Sequence, residues 1–484
     1  MTNSISNNHF NALLAQGCKQ DFFTFVKTFW HSFVAEPPIW NWHIEHICKE
    51  LQQVGEAVKE RKPCEFDYFI LNVPPGSSKS SIISILYPLW CWIIDPSQRF
   101  ICGSYSATIA EDLADKSRKV FISDLYRELF PFVGVVSEAK TKLENAHFGE
   151  RYTVSTGSSV TGVHASQIII DDPLNALQAT SEAERQTANK WITETLSSRK
   201  TDKKVTPTII VMQRLHEDDP TGYLLSKNLR IKRICLPAEL SEDVHPESLK
   251  DFYIDGLMDI KRLDRDVLDN AKANLGSYAY AGQYQQTPVD LSGGLFKRDW
   301  FEVVDNVPKD GATINFQLDT AFTAKTENDP TGALSYFRKG EYVYITGWVS
   351  KRLEFPELVA FVKIYTAEMG YSHRSKIRIE PKASGLPLIQ QMKNETNLNI
   401  IASPNPVKDR VTRATEILSK CEAGRVRLIR GNWNDAFLNE ICMFPKGKHD
   451  EAVDCLTEVV REELIKQKYQ SLAWLSEHTW FENT

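Results

Sequence analysis

Apolar positions along this chain fall into two runs of short strands alternating with helices, with a stretch between them where the periodicity fails. Residues 1–65 carry apolar residues at helical spacing and close on NWHIEHICKEL, which predicts a helical start. From Tyr68 the pattern changes. YFILNV predicts a strand, SSIISILYPLWCWII a helix that Pro88 kinks, and RFICGSY a second strand. ATIAEDLADKSRKVFISDLY is patterned as an amphipathic helix, RYTVSTGSS as a β segment and SQIIID as a buried strand. ERQTANKWITETLSS follows as a helix and TPTIIVMQR as a further strand. Short apolar strands separated by helices imply a parallel sheet covered on both faces.

Between residues 240 and 300 the periodicity breaks down, and Pro288 with Gly293–Gly294 marks a linker or lid. A second series then begins. INFQLDTAF predicts a strand, and GALSYFRKGEYVYITGWVSKR a hairpin turning at Lys339–Gly340. FPELVAFVKIYTAEMG is a helix, KIRIEP a strand, GLPLIQQMKNE a helix, NIIASP a strand and DEAVDCLTEVVREELI a final helix. The expected division is 1–245, a connecting segment 246–304, a second domain 305–468 and a tail 469–484. A chain of 484 residues is too long for one ordinary core, which agrees with two domains.

Composition narrows the class. A hydrophobic share of 42% and a charged share of 25% are those of a globular protein, and no apolar run is long enough to span a bilayer. The N-terminus lacks the basic start and apolar core of a signal peptide, so a cytoplasmic protein with no membrane partner is expected. The nine cysteines show no metal-ligand spacing and fit small buried hydrophobes. A formal charge of −6 argues against a protein that coats nucleic acid, although a local basic groove is compatible with it.

Two sets of phosphate chemistry appear in order. VPPGSSKS lies between a strand and a helix, where backbone N–H groups face phosphates, with Lys79 for the β/γ oxygens and Ser80 for Mg²⁺. Ser78 stands where a glycine is usual and Val73 at the first glycine position; the competing reading is a helix N-cap. QIIIDDP then ends an apolar strand in Asp171, suited to hold Mg²⁺ through water, and Asp172, suited to orient the attacking water. The alternative is a strand-end turn closed by Asp-Pro. Gln213, ending TIIVMQ, is placed to sense the γ-phosphate or merely to cap the strand. Trp40, Trp42 and His43 are placed to stack on adenine or to fill an aromatic core.

The second half offers acids from separate elements, as two-metal phosphodiester cleavage requires. Asp319 interrupts an apolar strand, Glu380 closes another, and Asp450 opens a helix with Asp454 on the same face. Two Mg²⁺ or Mn²⁺ ions are the implied metals, with Lys325, Asp329 and Lys382 as phosphate or supporting contacts.

In register, WNWHIEHICKEL, VPPGSSKS, STGSSVTGVHASQIIIDDP, IIVMQRLHEDDPTG, YAGQYQQTPVDLSGGLF, the Asp319 strand, RIEPKASG and FPKGKHDEAVD resemble the large terminase subunit of tailed double-stranded DNA bacteriophages. The resemblance implies an α/β chain: a P-loop, RecA-like additional-strand (ASCE) ATPase domain, then an RNase H-like nuclease domain. It implies a pentameric ring docked on the portal protein at the procapsid vertex, in the host cytoplasm and absent from the mature virion, with double-stranded DNA and a small terminase subunit as partners. Carried over by position, Pro75, Gly76, Ser77, Ser78, Lys79, Ser80 and Ser81 bind ATP with Mg²⁺, together with Asp171, Gln213, Trp40 and His43. Asp172 is the catalytic carboxylate, and Asp319, Glu380 and Asp450 the nuclease triad with Asp454 nearby. Relatives often carry an arginine inside the phosphate loop; here Arg151 and Arg214 are the candidates to supply it from elsewhere, in this chain or in a neighbouring subunit. Glu451 follows Asp450 where two adjacent Asp are common, leaving the third ligand among Asp450, Glu451 and Asp454. The rival readings are an ATP-dependent repair nuclease or helicase, and a structural portal-binding protein with inactive sites.

Overall fold

The computed structural model describes residues 2–288, 294–305, 307, 311–320, 330–381, 385–406 and 408–466. Lys325, Asp329, Lys382 and the tail 469–484 lie outside the described residues. The chain divides into one unit of residues 1–272 with 278–289 and a second of residues 273–277 with 290–484.

The apolar runs read as strands form the centre of the first unit. Its strands are β1 (Tyr68–Asn72), β2 (Arg99–Ser104), β3 (Val135–Ala139), β4 (Lys142–Asn145), β5 (Glu150–Ser155), β6 (Gln167–Asp171), β7 (Thr208–Met212) and β8 (Ile231–Cys235). They lie in the order β3-β4-β5-β2-β6-β7-β1-β8. From β5 to β8 all pairs are parallel; only the β3–β4 and β4–β5 pairs are antiparallel. β1, β6 and β7 are buried at every position, as expected of strands covered on both faces. Alternate residues serve two cores. Phe69, Leu71, Ile169, Ile209 and Val211 face one, while Ile70, Ile168, Ile170, Ile210 and Met212 face the other. β7 is interposed between β1 and β6, the additional-strand arrangement of P-loop ATPases.

Pro88 shapes the helix after β1. It lacks the N–H that Ser84 O would accept four residues on. Residues Ser81–Leu86 form a π-helical turn, with Tyr87 N–H donating to Ile82 O, before the α-helix Tyr87–Ile94. Ser84 O instead accepts from Arg151 Nη2 at 3.1 Å and Ser117 Oγ at 3.4 Å. The expected kink is therefore a widened turn closed by side chains.

The second unit contains β9 (Glu302–Val304), β10 (Asn315–Asp319), β11 (Thr331–Lys339), β12 (Tyr342–Lys351), β13 (Ile377–Ile379), β14 (Ile400–Ala402) and β15 (Val426–Ile429), in the order β14-β13-β10-β11-β12-β15-β9. β10, β11 and β12 are antiparallel neighbours, with the hairpin turning at Gly340 (φ 60°). β13 and β14 continue parallel to β10, giving the RNase H-like order. Phe316, Leu318, Ile377 and Ile379 pack with Leu358, Val362, Leu388 and Met392 from two helices. The helix Glu451–Val460 is buried at every position.

The β3–β4 hairpin, β8, β9 and β15 have no counterpart in the hydrophobic pattern. β3 is a mostly exposed edge strand. The short β9 and β15 carry charges paired across strands, as in Arg427 Nη2–Glu302 Oε2 at 2.9 Å. Among the described residues no helix is long and apolar enough to cross a membrane.

After β7 the chain is anchored by Asp219, which is 0% exposed. Its carboxylate accepts from Arg214 Nε at 3.0 and 3.1 Å, from Leu215 N–H at 2.9 Å and from Gly222 N–H at 2.9 Å, capping the helix Pro220–Leu225. Asp219→Ala strands a buried guanidinium and is expected to cost about 3–5 kcal/mol. Urea unfolding followed by fluorescence of the buried Trp90 and Trp92 measures this, and an unchanged midpoint contradicts this role for Asp219.

Candidate functional site

Backbone hand explains the loop sequence first. Gly76 (φ 77°) and Ser78 (φ 63°) are both left-handed, the alternation that turns backbone N–H groups toward an anion. A serine at 78 meets the strain that a glycine avoids, and Arg262 compensates it. Its Nη1 donates to Ser78 Oγ at 2.7 Å and to Gly76 O at 3.0 Å, and its Nη2 donates to Ile39 O. Arg262 lies 184 residues from Ser78, so no local signal in the sequence points to it. Pro75 leads from β1 into this loop, and Ser81 opens the π-helical turn behind it.

The structure brings the expected polar set together at the ends of β1 and β6. Lys79 Nζ lies 2.8 Å from Asp172 Oδ1. Ser80 Oγ donates to Asp171 Oδ1 at 3.1 Å and Ser84 Oγ to Asp171 Oδ2 at 2.7 Å. Burial, then the neighbouring Asp172 charge, pushes the Asp171 carboxyl up to about 6; Lys79, Ser84 and Ser80 oppose this. Asp172 sits at φ 44°, held by its N–H to Val211 O at 2.8 Å and by Tyr105 N–H to its own carbonyl at 3.0 Å. Ser84 escaped the sequence reading because it faces Asp171 only through the π-helical turn. Gln213 follows β7, and its Oε1 is buried without a hydrogen-bond partner among the described residues.

Three expectations are corrected. His43 has no exposed face to offer a base. It lies under the loop with Nε2 3.2 Å from Ser77 O, and burial is the largest cause that pushes its imidazole down to about 4, against opposing contributions from Asp259 and the Ser77 contact. Trp40 packs at 5.2 Å on Trp30 and 5.6 Å on Phe23, the aromatic-core alternative, and Trp42 stacks on Phe252 at 5.2 Å. Arg151 is 1% exposed, spent on Ser84 O and on Thr153 Oγ1 at 3.1 Å, and Arg214 is locked to Asp219. Neither arginine projects from the surface toward a neighbouring subunit.

In the second unit, pairing of β10 with β13 sets Leu318 beside Ile379, so Asp319 and Glu380 leave adjacent strands at the same level. Asp450 caps the helix Glu451–Val460, and Asp454 follows one turn later. Burial, then Asp454 and Glu380, pushes the Asp319 carboxyl up to about 7, with Arg410 opposing and Asp450 adding. Four acids thus share one field. Arg410 bonds Asp450 Oδ2 through Nη1 and lies 3.0 Å from Asp454 Oδ2 through Nε. Arg413 Nη2 lies 2.7 Å from Asp454 Oδ1.

These ion pairs mark a departure from the expected ligand set: among the described residues, no three His, Cys, Asp or Glu side chains are arranged to hold a metal ion. The donor chemistry nevertheless suits a hard cation, because Asp319 is a carboxylate crowded by other carboxylates. Glu451 faces elsewhere. It is 1% exposed and lies 3.7 Å from His449 Nδ1, beside Glu440, whose Oε1 accepts from Ala452 N–H at 2.6 Å.

A P-loop, additional-strand α/β unit followed in one chain by an RNase H-like unit is the class these folds define. Residues 317–461 match the family model described as the terminase RNaseH-like domain. Among solved structures, the chain is similar to the large terminase from a thermophilic bacteriophage, at 13% identity over 86% of this chain and 98% of that one, with a TM-score of 0.48. It is similar to the HK97 bacteriophage large terminase at 13% identity over 84% and 89%, TM-score 0.36. The large terminase nuclease from thermophilic phage G20c with bound magnesium matches at 13% identity over 34% and 95%, TM-score 0.27. The chain has no match among curated proteins.

His43 supplies a pH test of the loop. A group whose folded pKa is depressed from about 6.5 to about 4 stabilises fully above pH 6.5, and that stability is lost as pH falls from there toward 4. His43→Gln is expected to flatten the melting temperature of the first unit across this window. A pH profile unchanged by the substitution contradicts the buried, neutral imidazole.

Proposed function

We propose that this chain is the large subunit of a viral DNA-packaging terminase, in which ATP hydrolysis by the first unit drives double-stranded DNA into a procapsid and the second unit cuts the concatemer. The observation that carries this reading is the Lys79–Ser80–Asp171–Asp172 set on an additional-strand sheet, in one chain with a terminase-type RNase H-like domain. The repair helicase predicts a second motor sheet; the second unit has the RNase H-like order instead.

ATP enters on the left-handed loop at Gly76–Ser78, and Lys79 exchanges Asp172 for the β/γ oxygens. Asp172, released from Lys79, orients the attacking water, while Gln213 offers its unpartnered oxygen at the γ end. Mg²⁺ would be held by Ser80 and Asp171, where it neutralises phosphate charge. Ser84 keeps Asp171 aimed at that position. In the second unit, Asp319, Glu380, Asp450 and Asp454 would hold two divalent ions that acidify the attacking water and stabilise the leaving oxygen. DNA contacts are mainly to phosphates, so binding is salt-sensitive and sequence is read with a small terminase subunit.

The working assembly is a pentameric ring on the portal protein at the procapsid vertex, formed in the host cytoplasm and absent from the mature virion. The motor is the unit of residues 1–272 with 278–289 and the nuclease the unit of residues 273–277 with 290–484; the segment 246–304 expected as a connection is shared between them.

Two assays on the same samples test the reading: ATP turnover, and supercoiled-plasmid cleavage with Mn²⁺. Lys79→Ala and Asp172→Asn are expected to lower ATP turnover by about 10²-fold or more and to spare cleavage. Asp319→Ala is expected to abolish cleavage and leave ATP turnover within about twofold of wild type. Absence of cleavage by folded wild-type protein at every Mn²⁺ concentration rejects the nuclease half.

A further inference from the structure

Arg410 and Arg413 lie one turn apart on the helix Arg410–Thr415 and both reach the carboxylate site, yet they differ in kind. The Arg413 side chain is 4% exposed and lies between Asp454 and Glu458, whose Oε1 is 3.7 Å from its Nη1. It is a fixed orienting cation. The Arg410 side chain is 47% exposed, and one guanidinium engages Asp450 and Asp454 together. It stands where the carboxylates need a cation.

We propose that Arg410 is a counter-ion latch of this site: it holds Asp450 and Asp454 while no divalent cation is bound, and passes to a DNA phosphate when one enters. The inference rests on the reading of the second unit as a metal-dependent nuclease. Arginine stays protonated throughout, so it leaves only by exchanging one anion for another. A cation taking Asp450 and Asp454 draws both carboxylates away from it, and a phosphate offers the same planar guanidinium a bidentate replacement. Partial exposure makes the exchange cheap, because the released head reaches water without crossing protein. Metal and DNA then bind with positive coupling, and each tightens the other by the same factor.

The test uses full-length protein, with Mn²⁺ affinity from isothermal titration and duplex affinity from fluorescence anisotropy in EDTA and in Ca²⁺. Arg410→Gln is expected to bind Mn²⁺ about twofold to fivefold more tightly than wild type, the gain from freeing a partly exposed ion pair. Wild-type duplex affinity is expected to rise in Ca²⁺ over EDTA, and that of Arg410→Gln to stay level. Arg410→Lys, which keeps the charge but not the fork, falls between them, and melting temperatures of both variants confirm folding. Asp319→Asn separates this inference from the reading beneath it. If Mn²⁺ binding depends on Asp319 but Arg410→Gln matches wild type, the latch is wrong and the metal site stands. If Arg410→Gln weakens duplex binding equally in EDTA and Ca²⁺, Arg410 is a permanent phosphate contact and the latch is again wrong. If no Mn²⁺ binding depends on Asp319, both fall.

Discussion

Asp171 and Asp172 in one unit, and Asp319, Glu380, Asp450 and Asp454 in the other, gather negative charge at strand ends and one helix start, where burial pushes the Asp171 and Asp319 carboxyls up. Much of the local architecture follows from containing it. Lys79 stands against Asp172, hydroxyls of Ser80 and Ser84 cover Asp171, and Arg410 with Arg413 hold the acids of the second site. Basic groups that meet phosphate in the proposed reactions are, in the protein alone, the partners that keep the acids tolerable. In both proposed reactions an internal ion pair, Lys79 with Asp172 or Arg410 with Asp450, would give way to the ligand.

The first site also depends on a missing backbone donor. Because Pro88 cannot serve Ser84 O, the turn widens, Arg151 and Ser117 donate to that carbonyl, and the Ser84 hydroxyl is turned onto Asp171. Arg151, a candidate catalyst in the sequence, is instead buried and spent on Ser84 O and Thr153 Oγ1.

How much was legible follows from where partners lie. YFIL, QIII and TIIV announce strands because fully buried parallel strands are continuously apolar. Asp319 and Glu380 are conspicuous because a charge breaking an apolar run needs a reason. The order of strands, with β7 between β1 and β6, is not written in any local pattern. Nor are the contacts of Arg262 with Ser78, His43 with Ser77, or Arg410 with Asp450, which join segments 184, 34 and 40 residues apart. β9 and β15 are three and four residues long and carry charges, too short for their pattern to reveal a strand without the neighbours they pair with on the sheet.

The interposed strand also works as a gauge. With β7 between them, β1 and β6 stand two strand spacings apart, about 9.5 Å, a width fixed by backbone hydrogen bonds. Lys79 stands in the loop beyond β1 and meets Asp172, just past β6, at 2.8 Å. The sheet sets the spacing of the strand ends, while the left-handed loop and its Arg262 brace set where Lys79 stands between them.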